Sequence, residues 1–162
     1  MYQVRKQTVE GSITKYSMRR DILAYLDSSR HCVEDLIDNE LVTLPEDAIV
    51  ADAVKIMKDV GISSILVRSL SSSSENPIIT GIVTERDILY RVIGGNKGPY
   101  KTFLKDVMSS PVVTIEKGSS VDEAMSLMRN EKIRRLLVIQ RENTRADTLG
   151  LVTLMSITDG MN

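Results

Sequence analysis

Cysteine and histidine are nearly missing from this chain: Cys32 and His31 are the only ones among 162 residues. One cysteine excludes any disulfide within the chain. One cysteine and one histidine are too few soft ligands for a zinc site. The two are also sequence neighbours, which seldom face each other as a nucleophile and its base. A plain turn ahead of a helix over residues 33–37 is the simpler expectation. Tryptophan is absent, phenylalanine occurs once and aromatics make up 4%, so the core is aliphatic. No apolar run approaches the roughly 20 residues that span a bilayer. Residues 1–12 lack the apolar stretch of a secretory signal. The expectation is no membrane contact and a cytoplasmic location. The formal net charge of -1 gives no overall field toward nucleic acid or an anionic membrane. No glycine-rich phosphate loop follows a strand, and no G-x-S-x-G elbow is present. Gly94, Gly95 and Gly98 cluster, but in a stretch that reads as a linker. Catalysis, a metal and a catalytic cofactor are therefore not expected.

What is there is a repeat. Val42-Thr43-Leu44 matches Val113-Thr114-Ile115, Ala53 matches Ala124, Met57 matches Met128, and Leu66-Val67 matches Leu137-Val138. The offset holds at about 71 residues, then drops to about 69 where Gly81-Ile82-Val83-Thr84 matches Gly150-Leu151-Val152-Thr153. The lost residues fall in a polar loop, where length changes cost little.

Each copy reads β-α-β-β-α. A short strand opens it (41–44; 112–115). A helix follows, with apolar residues at Val50, Ala53, Val54 and Met57, and at Val121, Ala124, Met125 and Met128. That spacing makes one buried helical face. Ser119 and Asp122 resemble a capping signal for the second helix. A buried strand (64–67; 135–139), a polar loop (69–77; 141–147) and a third strand running into a closing helix (78–93; 148–159) complete the unit. One such unit buries too little surface to stand alone, and two copies packed through their sheets with pseudo-twofold symmetry resolve this. The fold class is α+β, with α/β-type repeats. The expected division is an N-terminal extension over 1–32, a first repeat over 33–94 and a second over 99–160. Met18, Ile22, Tyr25 and Leu26 share one face of a helix expected in the extension.

Two pairs of residues draw notice as a site. Thr84 stands at a strand-to-helix junction with Asp87 three residues on. This is the form of a capping box. A helix N-terminus also leaves free N–H groups, where an anion or a polar ligand can replace the cap. Both readings stand. Arg134 and Arg135 open an apolar strand. They read either as an exposed strand end or as a planar pair suited to phosphate.

The element order, the phrase Gly81-Ile82-Val83-Thr84-Glu85-Arg86-Asp87 and the phrase Val107-Met108-Ser109-Ser110-Pro111-Val112-Val113-Thr114-Ile115 resemble the CBS-domain family over residues 33–159. The resemblance implies tandem CBS domains, a Bateman module that stands alone and regulates a partner. It implies an adenine nucleotide (AMP, ADP or ATP) as regulatory ligand, a homodimer and an unidentified regulated protein. The Asp87 carboxylate would take the ribose hydroxyls and Thr84 would assist. Arg134 and Arg135 would reach the phosphates, Val113 would lie against the base, and Arg86 would approach the phosphates. In the opposite cleft Thr153 matches Thr84, but Ser156 replaces the carboxylate, and Ser63 and Ser64 replace the arginines. One competent cleft per chain is the expectation. The alternatives are a dimerising scaffold without ligand, an S-adenosyl ligand, or nucleic acid. Near-zero charge and the lack of basic–aromatic interleaving disfavour the last.

Overall fold

The computed structural model describes residues 31–37, 41–72, 77–143 and 145–160. The expected helix carrying Met18, Ile22, Tyr25 and Leu26 lies outside the described residues.

The first unit contains β1 (Thr43–Pro45), α1 (Val50–Val60), β2 (Ser64–Arg68), β3 (Ile79–Thr84) and α2 (Glu85–Asp87), which continues as a wider π-turn over Ile88–Ile93. The second repeats this order with β4 (Thr114–Glu116), α3 (Val121–Glu131), β5 (Arg135–Glu142), β6 (Arg145–Thr153) and α4 (Leu154–Gly160). Each sheet has three strands, ordered β1-β2-β3 and β4-β5-β6. The central strand lies parallel to the first and antiparallel to the third. Ser64 stands opposite Thr84, and Arg135 opposite Thr153.

Strand alternation sorts the side chains. From β2, Ile65 and Val67 face the first unit's helices, where Val50, Ala53 and Met57 are buried. Leu66 points the other way and meets Leu137, Ile139 and Leu151 between the two sheets. In β5, Leu136 and Val138 face Val121, Ala124 and Met128. Each such buried aliphatic contributes about 1.5–3 kcal/mol relative to exposure, so the inter-sheet cluster helps fix how the units sit.

The units exchange short segments. A 3-10 turn, Val33–Leu36, places Val33, Leu36 and Ile37 on the second unit's core. Its Val33 N–H donates to Ser119 O at 3.0 Å. The matching turn, Leu104–Asp106, lies after the linker yet puts Leu104, Val107 and Met108 on the first unit's core. Leu104 N–H donates to Ala48 O at 2.9 Å. Cys32 serves as the turn ahead of Val33, its N–H donating to Asp35 Oδ2.

Three expectations are corrected. Val54 is 40% exposed, so the apolar stripe of α1 is narrower than its sequence suggests. The cap of α3 is Ser120 with Glu123, one residue beyond Ser119 and Asp122. Glutamate at the third helical position reaches back to the Ser120 N–H, at 2.9 Å. The stretch 141–147 is not a loop: Gln140, Arg141 and Glu142 pair with Asp147, Ala146 and Arg145 in a long hairpin. Asn143, with φ 56, supplies the left-handed turn that closes it.

Candidate functional site

Parallel pairing of each first strand with the central strand leaves the chain before β2 and before β5 at the junction of the two units. Ser63 and Arg135 meet there: Arg135 Nη2 donates to Ser63 Oγ at 2.6 Å. A cavity of about 490 Å3 opens beside this contact. Val42, Ser63 and Ser64 line it from the first unit, and Arg134, Arg135, Thr153 and Met155 from the second. Its rim is apolar, with Met155 72% exposed.

Arg134 and Arg135 thus share a cavity with Thr153, the hydroxyl of the cleft that lacks a carboxylate. Thr153 and Ser156 form a small cap of their own. Thr153 N–H donates to Ser156 Oγ, and Ser156 N–H to Thr153 Oγ1, both at 3.0 Å. The Ser156 hydroxyl in turn donates to Thr153 O.

Applying the repeat to that wall gives Val113, Arg134, Arg135, Thr84, Glu85 and Arg86 for the opposite cleft. Arg135 is linked to this side through Ser63, whose backbone O accepts Glu85 N–H at 3.2 Å. Burial pulls its guanidinium below the ordinary arginine value, and Arg134 adds to the lowering, while Glu85 and Asp87 oppose it. A half-buried guanidinium on the wall of a cavity can hold an anion there.

The Asp87 carboxylate is half-buried and well connected. Oδ2 accepts Thr84 N–H at 2.9 Å and Thr84 Oγ1 at 2.7 Å. Oδ1 accepts Ser109 Oγ at 3.2 Å and lies 3.5 Å from Arg91 Nε. Asp87 N–H donates to Thr84 Oγ1, completing the capping box. Arg86 is exposed, with its guanidinium 5.5 Å from the centre of the Tyr90 ring, a cation–π distance. Val113 is half-buried against the second unit's core, and its carbonyl accepts Leu137 N–H.

Sequence reasoning missed Ser109, Arg91 and Met155. Arg91 carried a signal, since it lies four residues from Asp87 on one helical turn. Ser109 carried none, because its contact depends on how the chain returns after the linker. Among the described residues no cluster of three or more His, Cys, Asp or Glu side chains could hold a metal. No helix among them is long and apolar enough to cross a membrane.

The family model of the CBS domain matches residues 33–94 and again 104–161. An uncharacterized protein of Methanopyrus kandleri is 34% identical over 113 residues, covering 70% of this chain. The chain spans about half of that relative, 53% of its length. A solved protein with CBS domains from Burkholderia ambifaria superposes with TM-score 0.68 at 26% identity, over 80% of this chain and 93% of the other. A hexameric CBS-CP12 protein from bloom-forming cyanobacteria superposes with TM-score 0.69 at 28% identity, over 82% and 72%.

Proposed function

The chain belongs to the CBS-domain family, with two CBS domains packed as one module, and on that premise we propose that it is a regulatory sensor of an adenine nucleotide. AMP, ADP or ATP would bind one cleft per chain. The ribose hydroxyls would go to Asp87 with help from Thr84, and the phosphates to Arg135 and Arg134. Val113 would lie against the base, and Arg86 would leave Tyr90 to approach the phosphates. The reading is supported by one contact: Arg135 of the second unit donates to Ser63 Oγ, and Ser63 O accepts Glu85 N–H at the start of α2, the short helix of the first unit that carries Asp87. The Thr153 cavity offers room and the same arginines, but Ser156 gives a hydroxyl that is already donating to Thr153 O.

Binding across two units would bias the angle between them, and a regulated protein would read the change. The energy available is the difference in ligand affinity between the two arrangements. Self-association as a homodimer fits this reading, since Leu89, Tyr90 and Ile93 are exposed on the closing helix of the first unit. No catalytic step is assigned to the chain.

Thermal unfolding with millimolar AMP, ADP, ATP and S-adenosylmethionine tests the proposal. A ligand at about 100 times its Kd stabilises by roughly 2.7 kcal/mol. Asp87→Ala should weaken nucleotide binding about tenfold or more, given the strength of hydrogen bonds to charged groups. Ser156→Ala should leave it unchanged. The reverse pattern would move the ligand to the Thr153 cavity. No shift with any ligand would favour an interaction scaffold.

A further inference from the structure

Asp87 has at most one acceptor position to spare, too few for a diol's two hydroxyls. A carboxylate offers about four. Thr84 takes two of them through its N–H and hydroxyl, Ser109 takes a third, and the Arg91 guanidinium lies against the same oxygen as Ser109. A diol that uses both oxygens must displace at least one internal donor. The Thr84 N–H belongs to the capping box and cannot leave without opening the helix start. The Ser109 hydroxyl is free of that constraint. Its backbone is fixed independently, by Ile82 N–H to Ser109 O at 3.0 Å and Ser109 N–H to Ile82 O at 2.9 Å. The side chain can therefore turn away while the strand pairing holds.

We infer that Ser109 is an internal competitor for the ligand: its hydroxyl occupies on Asp87 the place of one ribose hydroxyl and so sets the ligand threshold. This rests on the reading of Asp87 as the ribose acceptor. Arg91 is the positioning residue. Its Nη1 donates to Val107 O at 2.9 Å and to Met108 O at 2.8 Å, which holds the segment before Ser109 against α2. Its Nε steadies Asp87 Oδ1. The repeat explains why the device acts on one cleft only, since at the position matching Asp87 the second unit carries Ser156.

The test is the affinity of AMP, 2′-deoxy-AMP and 3′-deoxy-AMP for wild type, Ser109→Ala, Ser109→Thr and Asp87→Ala, measured by titration calorimetry. Removing the Ser109 hydroxyl should tighten AMP roughly three- to tenfold, the range of one net hydrogen bond. Ser109→Thr keeps the hydroxyl and should return the wild-type affinity. The gain should vanish for the deoxy-AMP that lacks the hydroxyl moving into the vacated place. A purely structural disturbance would weaken binding, or shift all three ligands together, and either result overturns the inference. If Asp87→Ala abolishes binding and Ser109→Ala leaves AMP affinity unchanged, only the Ser109 inference fails. If Asp87→Ala binds AMP as wild type does, or if no protein binds AMP, the proposed site fails and the inference falls with it.

Discussion

A side chain at Gly81 would run into Met108, whose Cβ, Cγ and Sδ all lie close to where its Cβ would stand. The glycine thus lets the segment that carries Ser109 lie along β3. Gly81→Ala should cost about 1–3 kcal/mol, the usual penalty of overfilling a packed site. Chemical denaturation would measure it. At this scale the sequence is legible where partners are close along the chain. Thr84 and Asp87 were identifiable because capping works at a fixed spacing of three. The same rule misplaced the α3 cap by one residue, because Ser119-Asp122 and Ser120-Glu123 overlap. Geometry favours the longer glutamate side chain. The third partner of Asp87 was not legible, since Ser109 lies 22 residues away and no local period links them.

Helices α1 and α3 end in the same left-handed conformation, at Gly61 with φ 79 and at Lys132 with φ 56. Glycine adopts it freely, whereas a Cβ makes it unfavourable. Lys132→Gly relieves a left-handed penalty of roughly 1–2 kcal/mol against roughly 0.5–1 kcal/mol of added chain entropy, so it should stabilise the protein slightly, read as a rise in Tm. Element order and type were legible from the repeat, because a shared pattern in two copies reinforces each weak signal. The β5–β6 hairpin was not. Beyond Ile139, β5 continues as Gln140, Arg141 and Glu142 and its partner in β6 as Asp147, Ala146 and Arg145, so no apolar alternation marks the pairing. Exposed Val54 shows the limit of stripe reading on α1: the face that meets the sheet is narrower than the apolar set.

Across the whole molecule, the exchange of 3-10 turns ties the two repeats into one folding unit. Leu104 follows the linker in sequence but is fully buried in the first unit's core. Leu104→Ala should cost about 2–5 kcal/mol, as for other large-to-small core changes. Both units should still melt in a single transition, and calorimetry that resolved two would contradict this. The repeat made the pairing of units legible. It did not reveal the exchange, because residues flanking a repeat can serve either copy.

That crosswise bracing also says what a cut would do. A protease site placed in the exposed Gly94–Gly98 stretch would divide the polypeptide without dividing the core. Each fragment would retain the turn that completes its partner. Two separately produced halves, each poorly folded alone, should reconstitute on mixing, which would make the module a natural split-protein pair.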